Sequence, residues 1–194
     1  MRYEKGRKDT TRRRIIDVAA ERFRGDGIAA TGLAGIMNEA GLTNGAFYPH
    51  FPSKDHLVRE TVAAAMEGQA AQMREIMAVD GVEGAIATYL SPEHRDNPGK
   101  GCTLAALLPE LARQGLETRS LYADRFQTLV DEVASALPPG IRDPQGAALA
   151  IYAALVGALQ LARAVEGTAL SDRILAAGAD AARALMRPDT ASEA

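Results

Sequence analysis

Helix starts and helix breaks alternate along the stretch TRRRIIDVAAERFRGDGIAATGLAGIMNEAGLTNGAFYPHFPSKDHL, Thr11 to Leu57. Thr10 or Thr11 can cap a first helix, since a hydroxyl at the N-cap accepts a hydrogen bond from a first-turn amide. Apolar residues then recur every three or four positions until Gly25, as in an amphipathic helix. We therefore expect one helix from about residue 10 to residue 25.

Two further short helices are predicted within the same stretch. Thr31 can cap a helix over residues 32–40, and Thr43 can cap the next one. Gly41 lies between them and supplies the positive φ of a tight turn. This succession of helix, tight turn and helix has the spacing of a helix-turn-helix.

Pro49 falls where the third helix would continue. A proline has no amide hydrogen, and its ring clashes with the carbonyl four residues back, which here belongs to Gly45. The residue before a proline also disfavours the α region. We therefore expect the third helix to be short and to end near Tyr48.

The rest of the chain is also predicted to be helical. Ser53 can cap a long fourth helix that runs past Met77, because apolar residues recur there at helical spacing. A loop rich in helix breakers, SPEHRDNPGKG, occupies residues 91–101. The apolar pattern predicts about nine helices in total, and therefore an all-α fold. The remaining predicted helices cover residues 82–90, 102–114, 117–137, 143–166 and 171–186.

Composition indicates the cellular compartment of the protein. The chain of 194 residues has one cysteine, Cys102, so no intramolecular disulfide can form and a reducing compartment is indicated. The N-terminal residues are charged and lack the apolar segment of a signal peptide. The longest apolar run, residues 146–162, is shorter than the roughly 20 residues that a membrane span needs. We expect a cytoplasmic protein that does not associate with a membrane.

Charge is distributed unevenly along the chain. Residues 1–60 contain 11 Lys/Arg and 8 Asp/Glu, whereas the remainder contains 11 and 17. Seven of the basic residues, Arg12 among them, lie within residues 1–14. A basic end on an acidic body suits a polyanion-binding protein, although a solvated basic tail explains the charge alone equally well.

The order of residues from Thr11 to Val62 resembles the N-terminal domain of TetR-family transcriptional regulators. The resemblance rests on a basic start, an A…F…G…T pattern, the AG turn, the aromatic-rich FYPHF and the SK..L that follows it. It implies a helix-turn-helix DNA-binding domain at residues 1–52 and a helical ligand-binding and dimerisation domain at residues 53–194. It also implies a homodimeric repressor that a small-molecule inducer releases from a palindromic double-stranded DNA operator.

A recognition helix reads base edges with its N-terminal residues, and Asn44 can in principle pair with adenine there. Thr43 can reach a phosphate or a thymine methyl group. The base-reading positions are Thr43, Asn44, Gly45 and Ala46. The resemblance implies contacts with DNA phosphates by Thr31, Tyr48, His50 and Lys54.

Some of these residues also have plain structural interpretations. Thr31 and Thr43 can act as helix caps, and Phe47 and Phe51 are expected in the core of so small a unit. The second helix begins GLAG, so few of its side chains can reach DNA. We therefore hypothesise that the arginine-rich residues 2–14, which include Arg12, contribute much of the DNA affinity and a minor-groove preference.

The predicted helices 143–166 and 171–186 are candidates for the dimer interface. The first is apolar nearly all round and rich in alanine and glycine, so it must be covered on more than one side. A second copy of the chain can cover one side, which gives a four-helix interface across a two-fold axis. A buried core helix within one chain is the alternative.

A pocket for the inducer is expected among the helices between residues 63 and 163. Methionine and aromatic residues suit an adaptable apolar cavity with a few polar groups, although each is individually more typical of the core. Cys102, near Lys100 at a predicted helix start, has either a thiolate-sensing role or that of a small apolar residue. The candidate ligand-binding residues are Met66, Tyr89, Cys102, Leu107, Tyr122, Phe126, Tyr152 and Gln160.

Enzymatic function is not indicated by the sequence. The three histidines show no metal-ligand spacing, and the sequence has no phosphate-binding glycine loop and no nucleophile elbow. We therefore expect no catalytic residue, no metal and no cofactor. The alternative to a regulator is an all-α small-molecule-binding protein whose DNA-binding head is weakened or non-functional.

Overall fold

The structure, a computed structural model, describes residues 2–188 and the side chains of residues 6–188. Within this part all regular secondary structure is helical, which confirms the all-α prediction. The two 3₁₀ turns are Asn44–Ala46 and Pro98–Lys100. The helices are α1 (Arg2–Asp26), α2 (Leu33–Glu39), α3 (Lys54–Tyr89), α4 (Pro92–Asp96), α5 (Thr103–Leu111), α6 (Leu116–Ala136), α7 (Pro144–Ala164) and α8 (Ala169–Ala184).

The described chain packs as two compact units. The first unit comprises residues 2–68 and 98–123, and the second comprises residues 69–97 and 124–188. Residues 98–123 therefore pack with the N-terminal segment, from which the sequence separates them by 29 residues. The functional division into residues 1–52 and 53–194 stays a prediction.

The first unit closes around aromatic and aliphatic side chains. The rings of Phe47 and Phe51 are stacked with their centroids 5.6 Å apart, and both side chains are buried, as the sequence predicts. Their burial stabilises a unit whose second helix has only seven residues. The other large buried side chains here are Ile15, Phe23, Ile36, Met37, Leu57, Met66 and Leu107.

Three of the predicted helix caps are wrong. The hydroxyls of Thr10 and Thr11 lie inside α1 and donate to the carbonyls of Gly6 and Arg7, both at 2.9 Å, because the helix begins at Arg2. Gly32 and not Thr31 is the N-cap of α2. Thr43 precedes a 3₁₀ turn and its side chain caps no amide.

Ser53 is confirmed as the cap of the long helix. Its Oγ accepts a hydrogen bond from the amide of His56 at 3.1 Å, and its carbonyl accepts from the amide of Leu57 at 3.2 Å. Helix α3 covers two of the predicted helices, which meet at Gly81 with a non-helical φ of 65°. Such a positive φ is readily adopted only by glycine, so the chain bends there without strain.

The predicted third helix is a 3₁₀ turn. The amides of Ala46 and Phe47 donate to the carbonyls of Thr43 and Asn44 at 3.0 and 3.1 Å, which are bonds over three residues. Pro49 lies in the following turn and interrupts no helix. The helical segment ends before Pro49, as predicted, but it is a 3₁₀ turn and not the predicted α-helix.

Part of the predicted loop 91–101 is also helical. Ser91 caps α4 by accepting a hydrogen bond from the amide of His94 at 3.1 Å, and Pro92 occupies the first turn. Proline is favoured there because the first-turn amides have no partner within a helix. Residues 2–188 thus form eight α-helices and not the nine predicted. Helix α3 covers two predicted helices, the third predicted helix is a 3₁₀ turn, and α4 lies in the predicted loop.

The second unit is built around the pairing of α7 with α8. Gly178 on α8 faces Ala158 on α7 so closely that a side chain at Gly178 would collide with the Ala158 methyl. Helix α7 has 21 residues, longer than the apolar run seen in the sequence, and by length and composition alone it could cross a membrane. Core helices of water-soluble proteins have the same composition, and one face of α7 is buried.

Candidate nucleic-acid interface

The segment 43–48 presents polar and aromatic groups to solvent. Thr43, Asn44 and Gly45 are exposed and Ala46 is half-buried. Phe47 is buried and holds the segment in place, while the neighbouring Tyr48 is 69% exposed. The two rings meet edge to face at 5.3 Å, so the buried ring orients the exposed one.

His50 adjoins two cations of α1. The pKa of His50 is lowered from its usual 6.5, first by burial and then by the charges of Lys8 and Arg12. The imidazole is therefore neutral at pH 7. Its Nδ1 is enclosed and has no hydrogen-bond partner among the described residues. A neutral ring with an enclosed nitrogen leaves only its other edge for a phosphate.

Arg12 is engaged within the protein. Its guanidinium lies 4.7 Å from the centre of the Phe51 ring and forms an ion pair with Glu60, which also accepts from His56 Nε2 at 2.7 Å. Burial acts to raise the pKa of Glu60, but the hydrogen bonds from Arg12 and His56 outweigh it and lower the pKa. Arg12 therefore joins α1 to α3, and its contact with DNA stays a prediction.

Thr31 and Lys54 lie at the turn between α1 and α2. Thr31 is fully buried and its hydroxyl donates to the carbonyl of Gly27 at 2.6 Å. Lys54 Nζ donates to the carbonyl of Ile28 at 2.7 Å. Both groups stabilise the turn in this structure. Their contacts with phosphates stay predictions.

The glycines of α2 and the following turn make room for arginines of α1. A Cβ on Gly35 would lie 2.5 Å from Nη1 of Arg22, and one on Gly41 would lie 3.2 Å from Nη2 of Arg14. The glycines at positions 35 and 41 thus have a packing reason that the sequence does not reveal. Arg14 is exposed, so a cation lies beside the helix-turn-helix turn.

The predicted ligand-binding residues divide between the two units. In the first unit Met66 and Leu107 are buried, while Cys102 and Tyr122 are half-buried. In the second unit Tyr89 is buried, and Phe126, Tyr152 and Gln160 are half-buried.

Two aromatic residues of this set meet in the second unit. The Phe126 and Tyr152 rings are 5.4 Å apart, edge to face, and the Tyr152 hydroxyl lies 3.5 Å from the carbonyl of Leu129. A surface groove of about 530 Å³ in the same unit is lined by other residues. They are Arg74, Met77, Ala78, Thr128, Asp131, Glu132, Ser135 and Ala136.

Cys102 occupies the N-cap position of α5 without capping an amide through its side chain. Burial, followed by the neighbouring Cys102, raises the pKa of Tyr122 to about 12. Arg24 fixes the preceding turn by donating from Nε to the carbonyl of Gly99 at 2.7 Å. The two alternatives for Cys102, a sensing thiol or a small packing residue, both stay predictions.

Residues 15–61, which include α2 and the exposed segment 43–48, match the family described as "Bacterial regulatory proteins, tetR family". The N-terminal region of the chain, residues 15–61, is of the TetR-family type. The matched residues are those on which the sequence resemblance rests, so that resemblance is confirmed.

Curated transcriptional regulators match about a third of this chain. The HTH-type transcriptional repressor KstR2 of Rhodococcus jostii is 34% identical over 71 residues, which are 37% of this chain and 35% of the relative. The HTH-type transcriptional regulator AcrR of Shigella flexneri is 41% identical over 59 residues, 30% of this chain and 27% of the relative. The chain thus aligns with about a third of the length of these relatives.

Solved structures extend the likeness in fold to nearly the whole chain. A TetR-family regulator from Cytophaga hutchinsonii matches with a TM-score of 0.76 at 19% identity, over 92% of this chain and 96% of that one. The reduced form of NemR from E. coli matches with a TM-score of 0.73 at 19% identity, over 87% and 95%. At such identities the likeness establishes the all-α TetR-family fold alone.

Proposed function

We propose that this chain is a ligand-responsive DNA-binding transcriptional regulator, a homodimeric cytoplasmic repressor that a small-molecule inducer releases from a palindromic operator. The observation that carries the proposal is the exposed segment 43–48, held by the buried ring of Phe47 inside the region that matches the family. An exposed tyrosine beside exposed hydroxyl and amide groups is suited to phosphates and base edges.

Asn44 is the proposed base-reading residue, and Tyr48 is a proposed phosphate contact. The side chains of Thr43 and Asn44 point away from the core, and Gly45 and Ala46 offer only backbone and a methyl group. Direct readout is therefore limited to few groups. Arginines of α1, including the exposed Arg14, supply sequence-independent affinity by neutralising phosphates.

Replacement of Asn44 by alanine tests the readout. We expect the free energy of binding to operator DNA to weaken by about 1–3 kcal/mol, while the affinity for unrelated DNA stays unchanged. Fluorescence anisotropy with labelled duplexes measures both affinities. Asn97→Ala is the matched control, because Asn97 is an exposed asparagine of the second unit. Equal operator affinities of the two variants would remove Asn44 from the interface.

The proposed dimer uses the exposed faces of α7 and α8. Leu149, Ala153, Gly157 and Leu161 recur every fourth residue along α7 and are exposed, with Leu149 at 48% and Leu161 at 62%. Leu170 on α8 is 50% exposed. Residues four apart form a ridge on a helix, and small residues in it permit close approach of a second copy. This ridge favours a dimer interface over the alternative of a core helix covered within one chain.

Substitution of Leu161 by glutamate tests the interface. We expect the dimer to dissociate, because the new carboxylates would be buried without partners at the two-fold axis. Light scattering measures the mass. Leu116→Glu is the control, since Leu116 is 76% exposed and belongs to the first unit. A dimer that persists in both variants would place the interface elsewhere.

The inducer is proposed to be a small, mainly apolar molecule. The half-buried aromatic pair Phe126 and Tyr152 and the polar Gln160 supply the ring faces and polar groups that such a ligand uses. Its binding favours a conformer whose two DNA-binding segments no longer fit half-sites one helical turn apart, ~34 Å. If the protein binds small molecules but no DNA, the alternative of a non-functional head is correct.

Cys102 is the candidate for a covalent or oxidative response. NemR, which matches in fold, has been crystallised in a form described as reduced. Replacement of Cys102 by serine tests this role directly. Release from DNA by a thiol-reactive probe such as N-ethylmaleimide is expected to disappear in the variant, and an unchanged response would assign Cys102 to packing.

A further inference from the structure

Two consecutive peptide groups of the turn between α1 and α2 are held by charged side chains. The amides of Ile28 and Ala29 donate to Oε1 and Oε2 of Glu110 at 3.2 and 2.9 Å. The carbonyl of Ile28 accepts from Lys54 Nζ at 2.7 Å. We call this arrangement the Glu110 clamp. It joins α5 and the start of α3 to the turn that precedes α2.

The local backbone is adapted to the clamp. Gly27 has a φ of 88°, and a Cβ on it would lie 2.7 Å from Oε1 of Glu110. Only glycine therefore permits both the turn and the approach of the carboxylate. On the inner side, the Thr31 hydroxyl and amide both donate to the carbonyl of Gly27, at 2.6 and 3.2 Å.

Two consecutive amides bound by one carboxylate form a charge-assisted, bidentate contact, which is stronger and more directional than a contact between neutral groups. Glu110 directly follows Pro109 in α5. Pro109 cannot donate to the carbonyl of Ala105, so α5 lacks one of its own hydrogen bonds next to the clamp.

We propose that α5 controls DNA binding through the Glu110 clamp, which holds the turn 27–31 and α2 in the arrangement that fits operator DNA. The inference rests on the proposed function and names its regulation. Cys102 and Leu107, two candidate ligand-contact residues, lie at and within α5. A ligand that displaces α5 withdraws the carboxylate, frees the turn and lowers the affinity for the operator.

The clamp differs in kind from the link between α3 and the DNA-binding segment. Helix α3 follows the DNA-binding segment through a covalent bond, which no ligand can open. The bonds from Glu110 join residues 82 and 81 positions apart and are non-covalent, so they have an open and a closed state. A switch needs such a two-state contact.

Replacement of Glu110 by glutamine tests the proposal. Glutamine has the shape of glutamate but only one acceptor oxygen, so at least one amide loses its partner. We expect operator affinity to fall about tenfold relative to affinity for unrelated DNA. General unfolding of the DNA-binding segment would lower both affinities and the melting temperature, whereas a positioning role lowers the operator affinity alone.

Glu117→Gln is the matched control. Glu117 is an exposed carboxylate of the first unit that pairs with Arg59, and its replacement removes the same charge. Loss of one negative charge slightly favours binding of any DNA in both variants. If Glu110→Gln fails to fold, Glu110→Asp keeps the charge but shortens the side chain, and the same loss is expected.

Amide hydrogen exchange provides a readout that does not depend on DNA. In wild type and Glu117→Gln we expect the amides of Ile28 and Ala29 to be protected, and in Glu110→Gln to exchange about tenfold faster. If wild type binds no DNA selectively, the proposed function and the inference both fail. If wild type binds an operator and Glu110→Gln matches Glu117→Gln in affinity ratio and exchange, the clamp alone is refuted.

Discussion

The turn 27–31 and the contact between α7 and α8 are stabilised in opposite ways. In the turn, the side chains of Glu110 and Lys54 bind backbone groups far from them in sequence. Between α7 and α8, Gly178 faces Ala158 with no space for a side chain, and no polar group takes part in that approach. The first contact depends on charge and direction, whereas the second depends on volume.

This difference bears on how each region can function. A charged contact to a backbone amide is lost when one side chain moves by a few ångströms, and it can be restored without repacking. A close contact of small residues cannot change without displacing a whole helix. A movable contact therefore suits the DNA-binding segment, and a fixed one suits the scaffold that carries the proposed dimer face.

The largest effect is expected from Gly178→Ala. The new methyl would collide with the Ala158 Cβ, and neither atom can rotate away. We expect the free energy of unfolding to fall by about 1–3 kcal/mol, despite the better helix propensity of alanine. Chemical denaturation measures the change. Gly68→Ala, in α3 with nothing within 4 Å, should raise the free energy of unfolding by ~0.5–1 kcal/mol. A similar gain for Gly178→Ala would show that α7 and α8 are not in tight contact.

A smaller effect is expected from Thr31→Val, which keeps the shape of the side chain but removes its hydroxyl. The hydrogen bond to the carbonyl of Gly27 is buried, so its loss should cost about 1 kcal/mol in the free energy of unfolding. Thr10→Val removes an exposed hydroxyl from α1 and should have almost no effect. Equal costs in the two variants would mean that the turn gains nothing from its inner hydrogen bond.

The smallest effect concerns pH and the second unit. Burial is the main cause that lowers the pKa of His94 from 6.5, even though its Nδ1 lies 2.7 Å from the carbonyl of Tyr89. Between the lowered pKa of folded His94 and the usual 6.5, the unfolded chain binds a proton that the folded chain does not, so stability falls as pH falls through that range. His94→Asn keeps an N–H donor but does not titrate. Its melting temperature should depend less on pH between about pH 7.5 and pH 5.5 than that of wild type. Parallel profiles would exclude His94 as a source of acid sensitivity.

The sequence predicted those parts of the fold that depend on local patterns. The apolar spacing in α1, the Ser53 cap and the burial of Phe47 and Phe51 follow from residue types and their intervals, because each acts over one or two turns. The threonine caps failed for a related reason. A hydroxyl at a plausible N-cap is equally able to donate to a carbonyl four residues back, and only the true helix start at Arg2 decides between the two.

The candidate site was predictable where exposure follows from the helix-turn-helix pattern, as at Asn44 and Tyr48. It was not predictable where the partner lies far along the chain. Nothing in CTLAALLPELARQ indicates that Glu110 binds amides some 80 residues earlier. For the same reason the sequence does not reveal that the ammonium group of Lys54 donates to the carbonyl of Ile28. The phosphate contact that the resemblance implies for Lys54 stays a prediction. Long-range polar contacts leave no periodic signal.

The exposed segment 43–48 is the part of the molecule that we propose to read DNA. This proposal is tested most directly by selecting, from sheared genomic DNA, the fragments that the purified protein retains at physiological salt. We expect a small set of fragments that share an inverted repeat, with half-sites one helical turn or a multiple of it apart, and we expect Asn44→Ala to lose this enrichment. Retention without sequence preference, or an enrichment that Asn44→Ala leaves intact, would contradict it.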